Sequence, residues 1–395
     1  MHFLMSSLTG LERWPVWAML FCVCLSCSVI LLQVKHKYAL KSQNLKVSKG
    51  KPEPTAYAPV EPLPDFDWEQ KEPLKLRPFK PKYNLTMSIE DSTVNELIEI
   101  DKNYKDRTEL RKKIMAEHPE TVLAAEDTVR PAVDEFYTWV VGTYLPTRFP
   151  RMFQISPAGN SQSLFLHSTA TNENYPLNPA EEPLKTLRTL GGLVEDDLLF
   201  LLPSDDGDGY TLKGFVTCFP SGFNTAKKLN LKLRDIHKPV PHYKQKLEKS
   251  MDRYFDRIKV GKFIKRANVS YVVPMLITEQ WTVTTSSQLF TATGNHLYEG
   301  EDIPQEEVDI EKRKAHERVG SSALRETDVT PFTADSSTSL SFKTYLYTLP
   351  EIKEDGLGET LAQAIDGLKQ GNVPEFHFYK RAAVWGESAK AYLLS

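Results

Sequence analysis

Hydrophobic residues recur at helical spacing in four long stretches, which we therefore expect to contain helices. These stretches are residues 96–125, 129–150, 242–260 and 356–371. In the third, Leu247, Met251, Phe255 and Ile258 share one face of an amphipathic helix. The second is expected to end at Pro146, because proline interrupts helical hydrogen bonding. Residues 224–237 predict one further helix.

Shorter apolar runs predict strands. Residues 198–203 (LLFLLP) and 210–219 (YTLKGFVTCF) flank a turn rich in Asp and Gly, a pattern that is typical of a β-hairpin. Residues 339–349 (SLSFKTYLYTL) predict another strand. Helices and strands alternate without a regular βαβ period, which favours an α+β domain over a dinucleotide-binding fold.

The N-terminal part of the chain has a different composition. After a short N-terminus (1–13), residues 14–34 carry no charge and are long enough to cross a bilayer as one helix. Lysines that follow directly predict an uncleaved, single-pass membrane anchor with the body in the cytosol. A signal peptide is the alternative, although its apolar region is normally shorter. Residues 35–76 predict an extended Pro/Lys-rich tether, and residues 77–395 predict the folded domain.

Composition and motifs exclude several classes of function. The net charge of the 395 residues is −3, which gives no reason to expect a nucleic-acid partner. Three of the four cysteines lie in the apolar N-terminal run, which leaves Cys218 alone in the body as a small core residue. The sequence contains no glycine-rich dinucleotide or phosphate loop, no HExxH, no paired CxxC and no GxSxG.

Histidines remain as candidates for chemistry. His237 lies in RDIHKPVPHY, where Pro239 and Pro241 are expected to form a stiff, extended strut that holds its ring in place. A capping or surface histidine is the alternative interpretation. His242, His296 and His316 are weaker candidates, since they lie in a turn-like, a loop-like and a highly charged segment. Lys265 and Arg266 could bind an anion such as a propionate, or could be a solvated pair.

A longer block, VTCFPSGFNTAKKLNLKLRDIHKPVPHYKQKLEKSMDRYFDRI, resembles the signature of the haem-dependent oxidative N-demethylase alpha-subunit-like family, whose fungal members are called HRQ family proteins. Further matches follow in family order. They are PFKPKYNLTMSIE, TYLPTRFPRMF, LRTLGGLVEDDLLFLLP, LFTATGNHLYEGEDIP, FKTYLY and FYKRAAVWGE. The resemblance runs from about Pro78 to the C-terminus.

The resemblance implies a PAS-like haem-binding fold and oxygen-dependent removal of a methyl group from a small amine or related secondary metabolite. It implies haem b as the cofactor, with His237 as the axial ligand of the iron. Tyr243, Arg266 and Asn268 match neighbouring positions that line the pocket. His296 and Tyr298 are candidate catalytic or entrance residues. The chain has no flavin or iron–sulfur fingerprint, so a separate reductase is expected to supply electrons.

The sequence departs from the family pattern in two segments. Removing Val269–Gln280 would place Asn268 beside Trp281, as in the family, and residues 319–337 replace the expected continuation after Arg318. Each segment begins with valine, whose codons start with GT as introns do. Retained or mispredicted intron sequence, a wrong exon boundary for the second segment, and genuine surface insertion are the interpretations. Two alternatives to an enzyme follow. One is a haem-PAS sensor or carrier without turnover, since that fold class commonly senses ligands, and the other is a degenerate family member that has lost haem because the segments interrupt the pocket.

Overall fold

A computed structural model describes residues 57–77, 79–157, 163–272, 290, 296–314, 321–331 and 337–395, with the backbone alone for 267–272, 310–314 and 321–331. Residues 56–395 form one compact unit. Within the described residues, no helix has the length and apolar character needed to cross a membrane. The predicted anchor, residues 14–34, lies outside the described residues.

The described residues contain ten strands, which form two sheets. The strands are β1 (Glu90–Ser92), β2 (Leu123–Ala125), β3 (Phe153–Pro157), β4 (Leu164–Ser168), β5 (Glu173–Pro176), β6 (Asp197–Pro203), β7 (Tyr210–Val216), β8 (Phe263–Val272), β9 (Ser321–Pro331) and β10 (Thr338–Thr348). The large sheet has the order β1-β8-β9-β10-β6-β7-β2, and the small sheet is β3-β4-β5. All neighbouring strands pair antiparallel.

Helices cover both faces of the large sheet and extend beyond it. They are α1 (Tyr104–Glu117), α2 (Pro119–Val122), α3 (Arg130–Trp139), α4 (Leu145–Arg148), α5 (Pro183–Leu193), α6 (Leu233–Ile236), α7 (Tyr243–Lys246), α8 (Glu248–Phe255), α9 (Gln305–Lys314), α10 (Leu349–Glu354), α11 (Gly358–Gln370), α12 (Phe376–Tyr379) and α13 (Ala382–Leu394). Short 3₁₀ turns span Val94–Glu96, Asp127–Val129 and Ala226–Lys228, and a π-helical turn spans Val140–Tyr144. The predicted α+β class is confirmed.

The predicted hairpin is present as β6 and β7, which pair antiparallel across the turn at residues 204–209. Alternate residues of β6 belong to different cores, as the period of two in a strand requires. Leu198 and Phe200 are buried in a core with α1, α3 and α5. Leu199 and Leu201 face a second core with α6, α8, α11 and α13. The large sheet therefore separates two apolar interiors.

The first core contains a buried ion pair. Arg111 on α1 and Asp197 at the start of β6 have fully buried side chains, and Nη1 lies 2.7 Å from Oδ1. The Nε–H of Arg111 also donates to the carbonyl oxygen of Gly191 over 2.7 Å. Asp197 accepts from the backbone N–H groups of Cys218 (2.7 Å) and Phe219 (3.0 Å). Cys218 is fully buried, which confirms its expected core position.

The structure corrects four expected elements. Residues 242–260 form the two short helices α7 and α8, with a break at Leu247, instead of one amphipathic helix. Pro146 does not end the helical run, which continues to Arg148, because the preceding π turn places the proline in the first turn of α4, where its missing N–H is not needed. Residues 224–237 form a 3₁₀ turn and the short α6 instead of one helix. The strut after His237 is a pair of turns, in which the Val240 N–H donates to the His237 oxygen (2.9 Å) and the Tyr243 N–H to the Val240 oxygen (3.1 Å).

Residues 57–76, which were predicted as part of the tether, instead pack on the body. Tyr57 is buried, and its hydroxyl donates to Glu135 over 2.8 Å. The N–H of Leu63 donates to the carbonyl oxygen of Arg148 over 2.8 Å. Phe66 and Trp68 contact the first core. Aromatic and aliphatic side chains at these positions bury enough apolar surface to order a segment that is rich in proline.

The second segment that departs from the family pattern contains β9. This strand pairs with β10 along its whole length and with β8 from Ser321 to Val329. Residues 321–331 therefore lie in the interior of the sheet and are not a surface insertion. Of the first segment, Val269–Val272 continue β8, and residues 273–280 lie outside the described residues.

Candidate functional site

The second core encloses a cavity of about 280 Å³ between the large sheet and helices α6–α8. This volume is about twenty times the roughly 10–15 Å³ that one water molecule needs. Most of the wall is apolar and comes from the sheet, the helices and residues 85–89. The apolar lining is Leu85, Met87, Ile89, Leu199, Leu201, Leu212, Phe223, Leu233, Ile236, Val240, Leu247, Met251, Phe255, Ile264, Leu340, Phe342 and Phe376. The site can therefore hold a largely apolar organic group.

His237 lines this cavity at the C-terminal end of α6. Its Nδ1 lies 2.8 Å from the carbonyl oxygen of Leu233, one helical turn earlier. A carbonyl oxygen can only accept, so Nδ1 carries the proton and Nε2 has the free lone pair. Burial lowers the pKa of His237 to about 4, which keeps the ring neutral at physiological pH. The histidine is thus fixed in the tautomer that a metal ligand requires.

Tyr243 supports the ring of His237 from the other side of the proline turns. The two rings are stacked, with centroids 5.1 Å apart and planes inclined by 17°. Tyr243 is buried, and its hydroxyl points to the sulfur of Met251 at 3.5 Å. His242 lies within the second turn, directly before α7, and has a φ of 56°, a left-handed conformation. The predicted positioning of His237 is thus produced by turns and stacking.

His296 lines the same cavity from a separate segment. Its ring packs between Tyr379 (centroids 4.6 Å apart) and Phe223 (5.6 Å). Its Nδ1 is buried and has no hydrogen-bond partner within the described residues. Burial, with Lys380 and Lys228 adding like charge, lowers the pKa of His296 to about 3. A neutral imidazole with one unused polar atom is therefore available to a bound molecule.

Three cationic side chains line the cavity, and none of the described residues that line it is Asp or Glu. Arg266 projects from β8, and its buried Nε has no hydrogen-bond partner within the described residues. Lys228 ends the 3₁₀ turn at Ala226–Lys228, with Nζ 3.0 Å from the ring centroid of Phe223. Lys380 follows α12. Burial and the nearby Arg266 lower the pKa of Lys380 to about 7.

Other predicted residues lie elsewhere. Tyr298 is 42% exposed and does not line the cavity, but its ring lies 6.2 Å from that of Tyr379, which does. Of the two residues predicted as catalytic, only His296 therefore reaches the cavity. The Asn268 backbone belongs to β8, and its side chain lies outside the described part of the chain, as does His316. Lys265 instead pairs with Glu96, 3.0 Å away.

Sequence reasoning missed Lys228 and Lys380 as pocket residues. Lys380 stands in FHFYKRAAVW, where one lysine interrupts a run of aromatic and aliphatic residues, and this pattern could have indicated a buried cation. Lys228 has no such signal, because Lys227 precedes it and is exposed. The position of its side chain depends on packing against Phe223, which residue type alone does not predict.

The family model for "haem-dependent oxidative N-demethylase, alpha subunit-like" matches residues 88–390. The chain therefore belongs to this family, and family membership indicates haem dependence and an oxidative N-demethylase-like function. No curated protein matches the chain.

The residues of the cavity fit a haem group. Haem iron needs only one ligand from the protein, and His237 presents an unprotonated Nε2 in an apolar wall. No cluster of three or more His, Cys, Asp and Glu side chains that could bind a metal ion by itself occurs in the described ranges. The cationic side chains of Lys228 and Lys380 and the unpartnered Nε of Arg266 suit the acidic edge of a porphyrin.

Proposed function

We propose that this chain binds haem b in the cavity, where Nε2 of His237 would bind the iron. The observation that carries the proposal is the 2.8 Å contact between Nδ1 of His237 and the Leu233 oxygen, which fixes the tautomer. Stacking on Tyr243 restricts the ring further. A carbonyl acceptor on the far nitrogen is a common way in which proteins orient a metal-ligating histidine and raise its basicity.

The proposed reaction is oxidative N-demethylation of a small amine or a related secondary metabolite. Bound haem would supply the activation of O₂. One N-methyl group, O₂, two electrons and two protons give the demethylated amine, formaldehyde and water. The electrons come from a separate reductase, because the sequence carries no flavin or iron–sulfur fingerprint. The apolar wall excludes water, and the neutral His296 offers Nδ1 for a hydrogen bond to the substrate.

The proposal includes a PAS-like core. In a PAS domain a hairpin is followed by helices and then by three antiparallel strands, the last of which pairs with the first strand of the hairpin. The order β8-β9-β10-β6-β7, with α6–α8 between β7 and β8, supports this assignment. The ligand cavity lies between this sheet and these helices, where such a domain would bind its cofactor.

Membrane attachment remains part of the proposal. The uncharged residues 14–34 followed by lysines support a single-pass anchor that places the haem domain in the cytosol beside a membrane-bound reductase. Extraction of membranes with alkaline carbonate should leave the full chain in the pellet and release a chain that begins at residue 56. Release of the full chain as well would reject the anchor.

The test is the absorption spectrum of the chain expressed with haem supplied. The full chain, or a chain starting at residue 56 so that Tyr57 keeps its buried position, should show a strong Soret band. The band should be lost in His237→Ala and kept in His242→Ala, whose imidazole is exposed. Reduced protein should then consume O₂ and release formaldehyde with N-methyl amines. Absence of the band would reject haem binding, and haem binding without turnover would indicate a sensor or carrier.

A further inference from the structure

We propose that residues 238–259, the basic segment, form a docking site for an acidic protein that donates electrons to the cavity. The inference rests on the proposed function and deepens it, because it names the surface and the partner chemistry through which electrons arrive. The basic segment carries seven Lys and Arg residues and three Asp and Glu residues, a net charge of +4. The whole chain, in contrast, has a net charge of −3.

All seven cations of the basic segment are exposed, and none forms an ion pair with another described residue. They are Lys238, Lys244, Lys246, Lys249, Arg253, Arg257 and Lys259. The next lysine along the chain differs, since Lys262 pairs with Asp91 over 2.6 Å. Exposed charges of one sign raise the rate at which a partner of opposite charge associates.

The helix α8 places this charge one helix diameter from the cavity. Met251 and Phe255 are four residues apart on its buried side and line the cavity. Lys249 and Arg253, also four residues apart, are exposed on the other side. An α-helix with its side chains is about 10–12 Å across. A partner that binds the outer side of α8 therefore lies about that far from the cavity.

The basic segment also adjoins the residue that would bind the iron. Lys238 follows His237 directly, and Lys244 follows Tyr243, whose ring stacks on that of His237. Consecutive Cα atoms are only about 3.8 Å apart. A partner bound to these two lysines therefore lies against the turns that carry both rings.

An anionic membrane surface is the other structure that basic side chains attract. A helix that lies in a membrane interface buries an apolar face among the lipid headgroups. In the basic segment that face is already used, because Leu247, Met251 and Phe255 are buried and enclose the cavity. This arrangement favours a protein partner.

The first experiment measures docking in the haem-free protein and does not depend on the proposed cofactor. The probe is flavodoxin, a small acidic flavoprotein, and its association with the full chain in nonionic detergent is followed by biolayer interferometry. Association should slow as the salt concentration rises. Lys249→Glu combined with Arg253→Glu should slow it at least about tenfold, because electrostatic steering raises association rates about 10–10³-fold.

Two further variants are the controls. Lys249→Arg combined with Arg253→Lys keeps both charges and should keep the association rate. Lys105→Glu combined with Lys113→Glu changes the net charge equally at exposed positions of α1, which packs on the first core, and should have little effect. Equal association rates in the two charge-reversed variants would overturn the proposal.

The second experiment measures reduction of the haem-loaded chain by flavodoxin hydroquinone. One electron passes in each encounter and no atom is transferred, so the flavin is oxidised to its semiquinone as the haem is reduced from ferric to ferrous. Reversal of charge at Lys249 and Arg253 should slow this step at least about tenfold. Reduction by photoreduced 5-deazariboflavin, a small uncharged flavin analogue, should not change. If the chain binds no haem, the first experiment still decides the question of docking.

Vesicles of phosphatidylcholine and phosphatidylserine test the membrane as the alternative occupant. They are mixed with a chain that begins at residue 56 and therefore lacks the predicted anchor. The variant reversed at Lys249 and Arg253 should bind these vesicles as the unchanged chain does. Loss of vesicle binding in this variant, with unchanged association of flavodoxin, would assign the basic segment to lipid headgroups and overturn the proposal.

Discussion

The carbonyl oxygen of Leu233 lies 2.8 Å from Nδ1 of His237, within one turn of the helix that His237 ends. Because the acceptor belongs to the backbone of the same short helix, the ring orientation is set locally. The consequence is that Nε2 carries the free lone pair and is available to the cavity, while burial keeps the imidazole neutral. A hydrogen bond made within one short helix does not depend on contacts with distant parts of the domain.

If His237 is the iron ligand, its side chain should be replaceable by free imidazole. His237→Gly should bind haem at least 10–100-fold more weakly, which is the loss that even an outer-shell change typically causes. Added imidazole should restore the Soret position of the unchanged protein. His242→Gly is the control and should bind haem without imidazole, because His242 is exposed. Full haem affinity in His237→Gly would show that another residue binds the iron.

The sequence predicted those features that depend on neighbouring residues. The hairpin of β6 and β7 followed from two apolar runs around an Asp/Gly turn, and the buried face of α8 followed from the spacing of Met251 and Phe255. His237 was selected from its position before two prolines and then from the family resemblance, and its role as the iron ligand stays a prediction. Features that depend on distant contacts were missed.

Lys380 is one such feature, because it becomes a pocket residue only when α12 packs beside Tyr83, almost three hundred positions earlier. Its sequence neighbours indicate burial but not the cavity it faces. The strand β9 is another, since its polar sequence SSALRETDVTP has no strong alternation and is held by pairing on both sides. Tertiary context decides both positions.

Gly367 on α11 allows the segment that lines the cavity to approach closely. A Cβ atom at this position would overlap the carbonyl oxygen of Pro81, and the N–H of Tyr83 donates to the Gly367 oxygen over 3.1 Å. Gly367→Ala should lower the free energy of unfolding by about 1–3 kcal/mol and weaken haem binding, because residues 83–89 must move. Gly142→Ala, where no atom lies within 4 Å, is the control. Equal unfolding midpoints in urea for both variants would contradict this packing.

Because the pair of Arg111 and Asp197 is buried, two arginine variants should differ strongly in their free energy of unfolding. Arg111→Met leaves the Asp197 carboxylate buried beside a neutral side chain and should cost about 3–5 kcal/mol in the free energy of unfolding. Arg151→Met removes an exposed pair with Asp65 and should cost about 0–1 kcal/mol. Urea unfolding of both variants measures the difference. A similar, small loss in both would show that the Arg111 pair is not buried in solution.

His296 predicts a specific pH dependence of stability in the haem-free protein. Burial lowers its pKa from 6.5 to about 3, so between these values the unfolded chain binds a proton that the folded chain does not. The free energy of unfolding is therefore unaffected by this group above pH 6.5. It decreases as the pH falls below 6.5, by at most about 1.4 kcal/mol per pH unit. His296→Phe, which keeps an aromatic ring, should reduce this slope, and His242→Phe should not. Identical slopes in all three proteins would mean that His296 is hydrated.

The position of β9 between two strands predicts slow hydrogen exchange of its backbone amides. This strand belongs to the second segment that departs from the family pattern. Its backbone bonds to β8 and β10 at once, so its amides should exchange hydrogen only through sub-global or global opening. The three-residue edge strand β1, which pairs with β8 alone, should exchange much faster. Exchange followed by mass spectrometry compares the two directly.

A chain without residues 319–337 would have to close the sheet by pairing β8 with β10, which lie on opposite sides of β9. We therefore expect this deletion to abolish the Soret band, because Ile264 and Arg266 on β8 and Leu340 on β10 line the same cavity. Transcript reads should then run through this segment as continuous coding sequence. Rapid exchange of β9 amides, together with a deletion variant that keeps its haem, would instead support the gene-model interpretation, in which these residues do not belong to the protein.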